Sequence, residues 1–125
     1  MAWTTKSFIE GKRHEVYALV HDGQCDFEAF LNHYQQSNPK GYAMMLALLV
    51  RIAVSGPPNN TQKFRRVEDN LYEIKVIGDR LFCFFDPHSQ RMIIVTHGWK
   101  KAHKLEQQRE INRAKRDRDA YLNNR

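Results

Sequence analysis

The chain has 125 residues, 42% of them hydrophobic, and a formal charge of +6. That length suits one domain, 1–125, with a core large enough to need no disulfide staple, and it argues against two domains. Cys25 and Cys83 stand far apart in apolar segments, without CxxC or Cys/His ligand spacing, and read as buried thiols of an intracellular protein. Residues 1–10 lack the apolar core of a signal peptide. The most apolar run, 42–54, is short for a bilayer and carries Arg51, so a soluble cytoplasmic protein with no membrane role is expected. From Trp99 onward nine Lys/Arg stand against four Asp/Glu, placing +5 of the +6 in the last 27 residues. Such an excess favours a polyanionic partner, although a solvated basic helix is its commoner cause.

In chain order, alternation around Val16, Ala18 and Val20 predicts a first strand over 13–21, ended by Asp22-Gly23. Asp26 is placed to cap a helix carrying Phe27, Phe30, Leu31 and Tyr34 at helical spacing. Asn38-Pro39 supplies a cap and a first-turn proline for a second helix over 39–54, apolar nearly all round and so mostly buried. The breaker cluster 55–60 is a loop. Four strand-like runs follow near 63–68, 71–77, 80–86 and 91–97. Asp69-Asn70, Gly78-Asp79 and 87–90 separate them, with the length and chemistry of hairpin turns. A final helix is expected over 105–122. The fold class is therefore α+β: an antiparallel meander sheet, two N-terminal helices packed on one face, and a C-terminal basic helix.

These turns predict a register. Lys75 pairs with Phe82 and Glu73 with Phe84; Phe82 pairs with Val95 and Arg80 with His97; Arg66 pairs with Glu73 and Phe64 with Lys75. One face then carries Tyr72, Ile74, Val76, Leu81, Cys83, Phe85, Met92, Ile94 and Thr96, a core face for the two apolar helices. The other carries Arg66, Glu73, Lys75, Arg80 and His97 among Phe64, Phe82 and Phe84. Cross-strand neighbours lie about 5 Å apart and diagonal ones about 7–8 Å, so Lys75, Arg80 and His97 are placed to converge on one phosphate. A blander reading competes at each position: cations on an open sheet face are usually just solvated, Arg66 opposite Glu73 can be a simple ion pair, and a His beside Gly is more often structural. Phe82 and Phe84 are expected under the last helix. That helix has only Ile111, Ala114, Tyr121 and Leu122 as an apolar stripe. It is expected along the sheet edge, its basic side free to track phosphates. His14, His21, His33, His88 and His103 show no ligand spacing, so no metal or cofactor is expected.

Four segments then stand out together: Leu71-Tyr72-Glu73-Ile74-Lys75, Arg80-Leu81-Phe82-Cys83-Phe84-Phe85-Asp86, Thr96-His97-Gly98-Trp99-Lys100-Lys101, and Glu110-Ile111-Asn112-Arg113-Ala114-Lys115. In this order and with short spacings they resemble the phage-derived, HigB-like branch of the RelE/ParE toxin superfamily. The resemblance covers about 13–122 and is sharpest from Leu71 on. It implies a RelE-like, microbial ribonuclease-like fold and the toxin of a type II toxin–antitoxin pair. Such toxins cut mRNA on the translating ribosome and are held inactive by a cognate helix-turn-helix (HigA-like) antitoxin.

On the matched positions, Lys75 and Arg80 are the family's basic strand residues, and Lys100 or Lys101 its basic residue after the last strand. The last-helix tyrosine of some relatives has no match: Gln107 and Gln108 stand near that place, and Tyr121 is too far along. Metal-free cleavage needs an aligned 2′-hydroxyl, a base for its proton, cations for the phosphorane and an acid for the leaving oxygen. Arg80 is assigned to the phosphate because a guanidinium forks onto its oxygens, and Lys75 and Lys100 share that task. His97 is the candidate acid or base, since imidazole ordinarily titrates near neutrality. Arg66, Lys101, Lys104, Arg109, Arg113 and Arg116 are expected to bind flanking RNA. Two other readings stay open: a ParE-like toxin that binds DNA gyrase, and a catalytically silent RNA-binding phage accessory protein.

Overall fold

The structure, a computed structural model, describes residues 2–101 and 104–124, with the Lys104 side chain outside what it describes. Its elements are β1 (Trp3–Glu10), β2 (Glu15–His21), α1 (Asp26–Ser37), α2 (Pro39–Ser55), β3 (Phe64–Glu68), β4 (Leu71–Val76), β5 (Asp79–Asp86), β6 (Ser89–Lys100) and α3 (Lys104–Asn123). They make an α+β fold on one six-stranded sheet in the order β1-β2-β6-β5-β4-β3. The antiparallel meander is confined to β3 through β6. β2 joins β6 in parallel, so the sheet is mixed, and the intervening helices and strands supply the long connection a parallel pair requires. β1, which the sequence reading did not anticipate, is an edge strand with mostly exposed or half-exposed side chains and hence a weak apolar alternation.

Asn38 caps α2 by accepting the Gly41 N–H at 3.0 Å, with Pro39 in the first turn. At α1 the cap position falls to Cys25 without a side-chain bond, and Asp26 instead places its charge in the first turn, against the positive end of the helix. Among the described residues no helix is long and apolar enough to cross a membrane.

Apolar side chains cover both sheet faces. Val16, Ala18, Leu81, Cys83, Ile93 and Val95 pack against Phe27, Leu31, Met45, Leu49 and Ile52 of α1 and α2. On the opposite face Leu71, Phe82 and Trp99 meet Ile111 and Ala114 of α3, while Leu19, Phe84 and Ile94 meet Tyr121. Thus α3 lies across the sheet over β5 and β6 instead of along its edge, and Phe82 and Phe84 lie beneath it as expected.

Three registers differ from the expected ones. The β4–β5 turn is Ile77-Gly78, so Val76 pairs with Asp79, Lys75 with Arg80, and Glu73 with Phe82. Gly78 takes φ 79°, which glycine adopts without steric cost, and Asp79 is drawn into the strand and buried. Between β3 and β4 a bulge near Arg66 and Glu68 puts Phe64 opposite Ile74, in the helix-side core, and Arg65 instead of Arg66 opposite Glu73. Between β5 and β6, Thr96 is an extra residue: Phe82 pairs with His97, but Cys83 pairs with Val95. A second shift, between Phe85 and Asp86, puts Met92 and Ile94 on the α3 side and Ile93 and Val95 in the α1/α2 core, the reverse of the expected faces, and the Thr96 bulge then keeps Trp99 on the α3 side. Trp99, not His97, therefore stands opposite Arg80.

The β1–β2 turn rests on the end of α2, where the N–H groups of Arg13 and His14 donate to the Ala53 carbonyl at 2.9 and 3.0 Å. A Cβ on Gly11 would overlap that carbonyl. Gly11→Ala should accordingly destabilise the protein by about 1–3 kcal/mol through overpacking, seen as a lower urea midpoint at unchanged m.

Candidate nucleic-acid interface

Lys75 and Arg80 face each other across the β4–β5 hairpin, beside its two-residue turn. The residue after β6 reaches the same turn, since the Lys101 N–H donates to the Gly78 carbonyl at 2.9 Å. α2 forms the opposite wall. Between them lies a groove of about 820 Å³ with Arg51, Lys63, Lys75, Arg80 and Lys101 on its lining and no carboxylate among the described lining residues. The Lys75 ammonium is pushed below its ordinary 10.5, first by burial and then by Arg65, Arg80 and Lys101, with Glu73 pulling the other way.

Arg80 is held from behind. Its Nη1 donates to the Val76 and Asp79 carbonyls, each at 2.9 Å. Glu73 is 1% exposed, and its Oε1 lies 3.2 Å from Arg65 Nη2 and 3.8 Å from Arg80 Nε. This carboxylate offsets charge that would otherwise accumulate unpaired under the groove. Glu73→Ala should cost about 1–3 kcal/mol in urea unfolding, less than a fully buried pair because Arg65 is part-exposed.

His97 lies outside the groove. It is 1% exposed beneath α3, with Nδ1 3.2 Å from Thr96 Oγ1 and Nε2 3.4 Å from Glu110 Oε2. The expected convergence of His97 with Lys75 and Arg80 therefore fails, because the Thr96 bulge and the two-residue turn shift both pairings. The bond from His97 holds the Glu110 carboxyl below its ordinary 4.5; burial opposes this, and Arg113 and Arg109 assist. Arg113 continues the chain of contacts to Asp26 at 2.6 Å, so β6, α3 and α1 are tied together. A carboxyl with a lowered folded pKa adds stability above its ordinary value, and that stability disappears as pH falls through the folded value. Glu110→Gln should flatten the loss of urea-unfolding stability below pH 4.5; an acid limb identical to that of the parent would contradict this role.

The remaining cations divide between the groove and internal ties. Lys101 lines the groove; Lys100 is exposed opposite Asp79 and does not. Arg66 is engaged with its own turn, at 3.2 Å from the Glu68 carbonyl and 3.4 Å from Asp69. Besides Arg113, Lys115 pairs with Glu68 at 3.0 Å and Arg118 donates to the Asp69 and Asn70 carbonyls, so these cations fasten α3 to the β3–β4 turn. Arg109 and Arg116 are exposed on α3, and the Lys104 side chain lies outside the described residues. Tyr121 is buried against Phe84, and burial pushes the Cys83 thiol up to about 12.

Sequence reasoning missed Arg51, Lys63 and Arg65. Arg51 did carry a signal, as the one cation in the apolar run 42–54, seven residues after Met44 and so on the same helical stripe. Lys63 and Arg65 carried none, because the bulge near Arg66 decides which cation of that run faces Glu73.

A six-stranded α+β sheet with a cationic groove that has no carboxylate among its described lining residues makes a candidate polyanion-binding surface. Residues 35–119 match the family described as Phage derived protein Gp49-like (DUF891), and the chain belongs to this phage-derived, toxin-like family. The matched span contains every described residue that lines the groove. No curated protein matches the chain.

Proposed function

We propose that the chain is the toxin of a type II toxin–antitoxin pair, a RelE-like, HigB-like endoribonuclease that cuts mRNA on the ribosome in the cytoplasm. A helix-turn-helix antitoxin would hold it inactive. The observation that carries this reading is the convergence of Lys75, Arg80 and Lys101 on one groove, within a toxin-like family.

In the proposed reaction the 2′-oxygen attacks the adjacent phosphorus and gives up its proton. The bond from phosphorus to the 5′-oxygen breaks, that oxygen takes a proton, and a 2′,3′-cyclic phosphate and a 5′-hydroxyl result. Arg80, fixed by the Val76 and Asp79 carbonyls, stabilises charge on the phosphorane, with Lys101 in place of Lys100. Lys75 handles the proton, because its lowered pKa makes the neutral amine more available than in a free lysine. Burial under α3 gives His97 a structural task. The ribosome supplies the rest of the alignment, which accounts for a site without the last-helix tyrosine.

Induced expression should arrest growth and truncate transcripts within codons. Arg80→Ala should reduce cleavage about 10²–10³-fold, the usual scale for losing one preorganised charge stabiliser. Lys75→Arg keeps the charge but cannot release a proton, so it should retain RNA binding and lose cleavage. Arrest with intact transcripts and blocked supercoiling would point instead to a gyrase-directed toxin, and RNA binding without arrest to a silent binding protein.

A further inference from the structure

The groove has an apolar wall that the proposed reaction does not use. Met44, Ala47, Leu48 and Arg51 recur at intervals of three, four and seven along α2, so one stripe of that helix lines the groove. α2, expected to be mostly buried, exposes one side, with Met44 44% exposed on it, and Ile77, at the hairpin turn on the groove's other side, is 87% exposed. Large apolar side chains left open beside a cation cluster call for a ligand that is both apolar and anionic. Single-stranded nucleic acid has this character, because its unstacked bases offer bare faces next to each phosphate. A duplex hides those faces in its stack.

An acidic amphipathic peptide shares the combination, but the charge layout favours a phosphate. Lys75 and Arg80 are direct cross-strand neighbours, about 5 Å apart by the geometry of such pairs, and Lys101 is tethered to the same turn. The three cations thus stem from one short stretch of backbone, a compact layout suited to the two non-bridging oxygens of one phosphodiester; carboxylates spaced along a peptide helix would need separated cations. The groove's 820 Å³ falls within the range of about 300–1,000 Å³ typical of sites that enclose a small ligand.

We propose that Met44 and Ile77 form a nucleobase platform: the groove holds one unstacked base of single-stranded RNA between α2 and the β4–β5 turn, with the neighbouring phosphate on Lys75, Arg80 and Lys101. This rests on reading the groove as an RNA site, though not on cleavage.

The test uses the full chain and fluorescence anisotropy with three labelled, 2′-O-methylated RNAs that cannot be cut: a single-stranded hexamer, the same hexamer with abasic sugars, and a short duplex. The intact single strand should bind at least about fivefold more tightly than the abasic one, and more tightly than the duplex. Met44→Ser combined with Ile77→Ser, both at exposed positions, should erase the preference for bases while leaving abasic binding unchanged. Lys101→Gln should weaken all three RNAs and lower the slope of log affinity against log salt by about one contact. Equal binding of intact and abasic strands, tighter duplex binding, or an unaltered base preference in the double variant would overturn the platform and leave the RNA site standing. Displacement of the RNA by an acidic amphipathic peptide of higher affinity would overturn it in favour of a protein-docking surface. If none of the RNAs binds, the RNA reading and the platform fail together. Tight base-dependent binding with no cut in unmodified RNA would sink the nuclease and keep the platform.

Discussion

Thr96 has no partner across the β5–β6 ladder, and the seating of α3 on the sheet depends on that bulge. With it, β6 presents His97 and Trp99 on the α3 side at one end and Met92 and Ile94 on that same side at the other, while Ile93 and Val95 face α1 and α2. A regular ladder continued from Val95 would pair His97 with Leu81 and turn His97 and Trp99 to the α1/α2 side. The bulge is accommodated because the Thr96 hydroxyl, which would otherwise be buried without a partner, reaches the Phe82 carbonyl at 3.3 Å and His97 Nδ1. Burying apolar groups on both faces of the central strands gives α3 something to pack on, despite its thin apolar stripe.

With α3 seated across the sheet, the cations segregate. Arg113, Lys115 and Arg118 of α3 are drawn into ties with α1 and the β3–β4 turn, through Asp26, Glu68 and the Asp69 carbonyl, while Arg109 and Arg116 stay exposed. Those beside the β4–β5 turn remain without carboxylate neighbours in the groove, apart from the buried Glu73 behind Arg80. Half of the six Lys/Arg of α3 thus serve as clamps, and the cations that line the groove gather at a hairpin tip. Gly78 permits the tight turn that sets Lys75 and Arg80 side by side, and Lys101 joins them through a backbone bond.

Local signals were read well where local physics decides. The Asn38 cap, the Pro39 start of α2 and the Asp69-Asn70 turn need only neighbouring residues, whereas the β4–β5 turn fell one residue earlier than its chemistry suggested and the β5–β6 turn was shorter. Lys75 and Arg80 were legible as neighbours on one face because a shift of two in their hairpin register leaves both there. His97 was misplaced for the opposite reason: its neighbours across the ladder depend on where a bulge falls, and no local composition marks that position. Asp79 showed the same limit, with the chemistry of a turn residue in sequence and a buried strand position in the fold, where its carboxylate, after burial itself, helps push Tyr34 up to about 12.

The amino-acid sequence by itself determined the α+β class, the helices and meander strands, the basic excess and the placing of Lys75 and Arg80 on one face of one hairpin, because these follow from periodicity, turn chemistry and charge within a few residues. Tertiary structure alone decided the edge strand β1, the parallel docking of β2 on β6, the seat of α3, the burial of His97 against Glu110 and the recruitment of Arg51 and Lys63 to the groove. Each of those rests on contacts between residues far apart in the chain, selected by how two apolar faces can be filled at once.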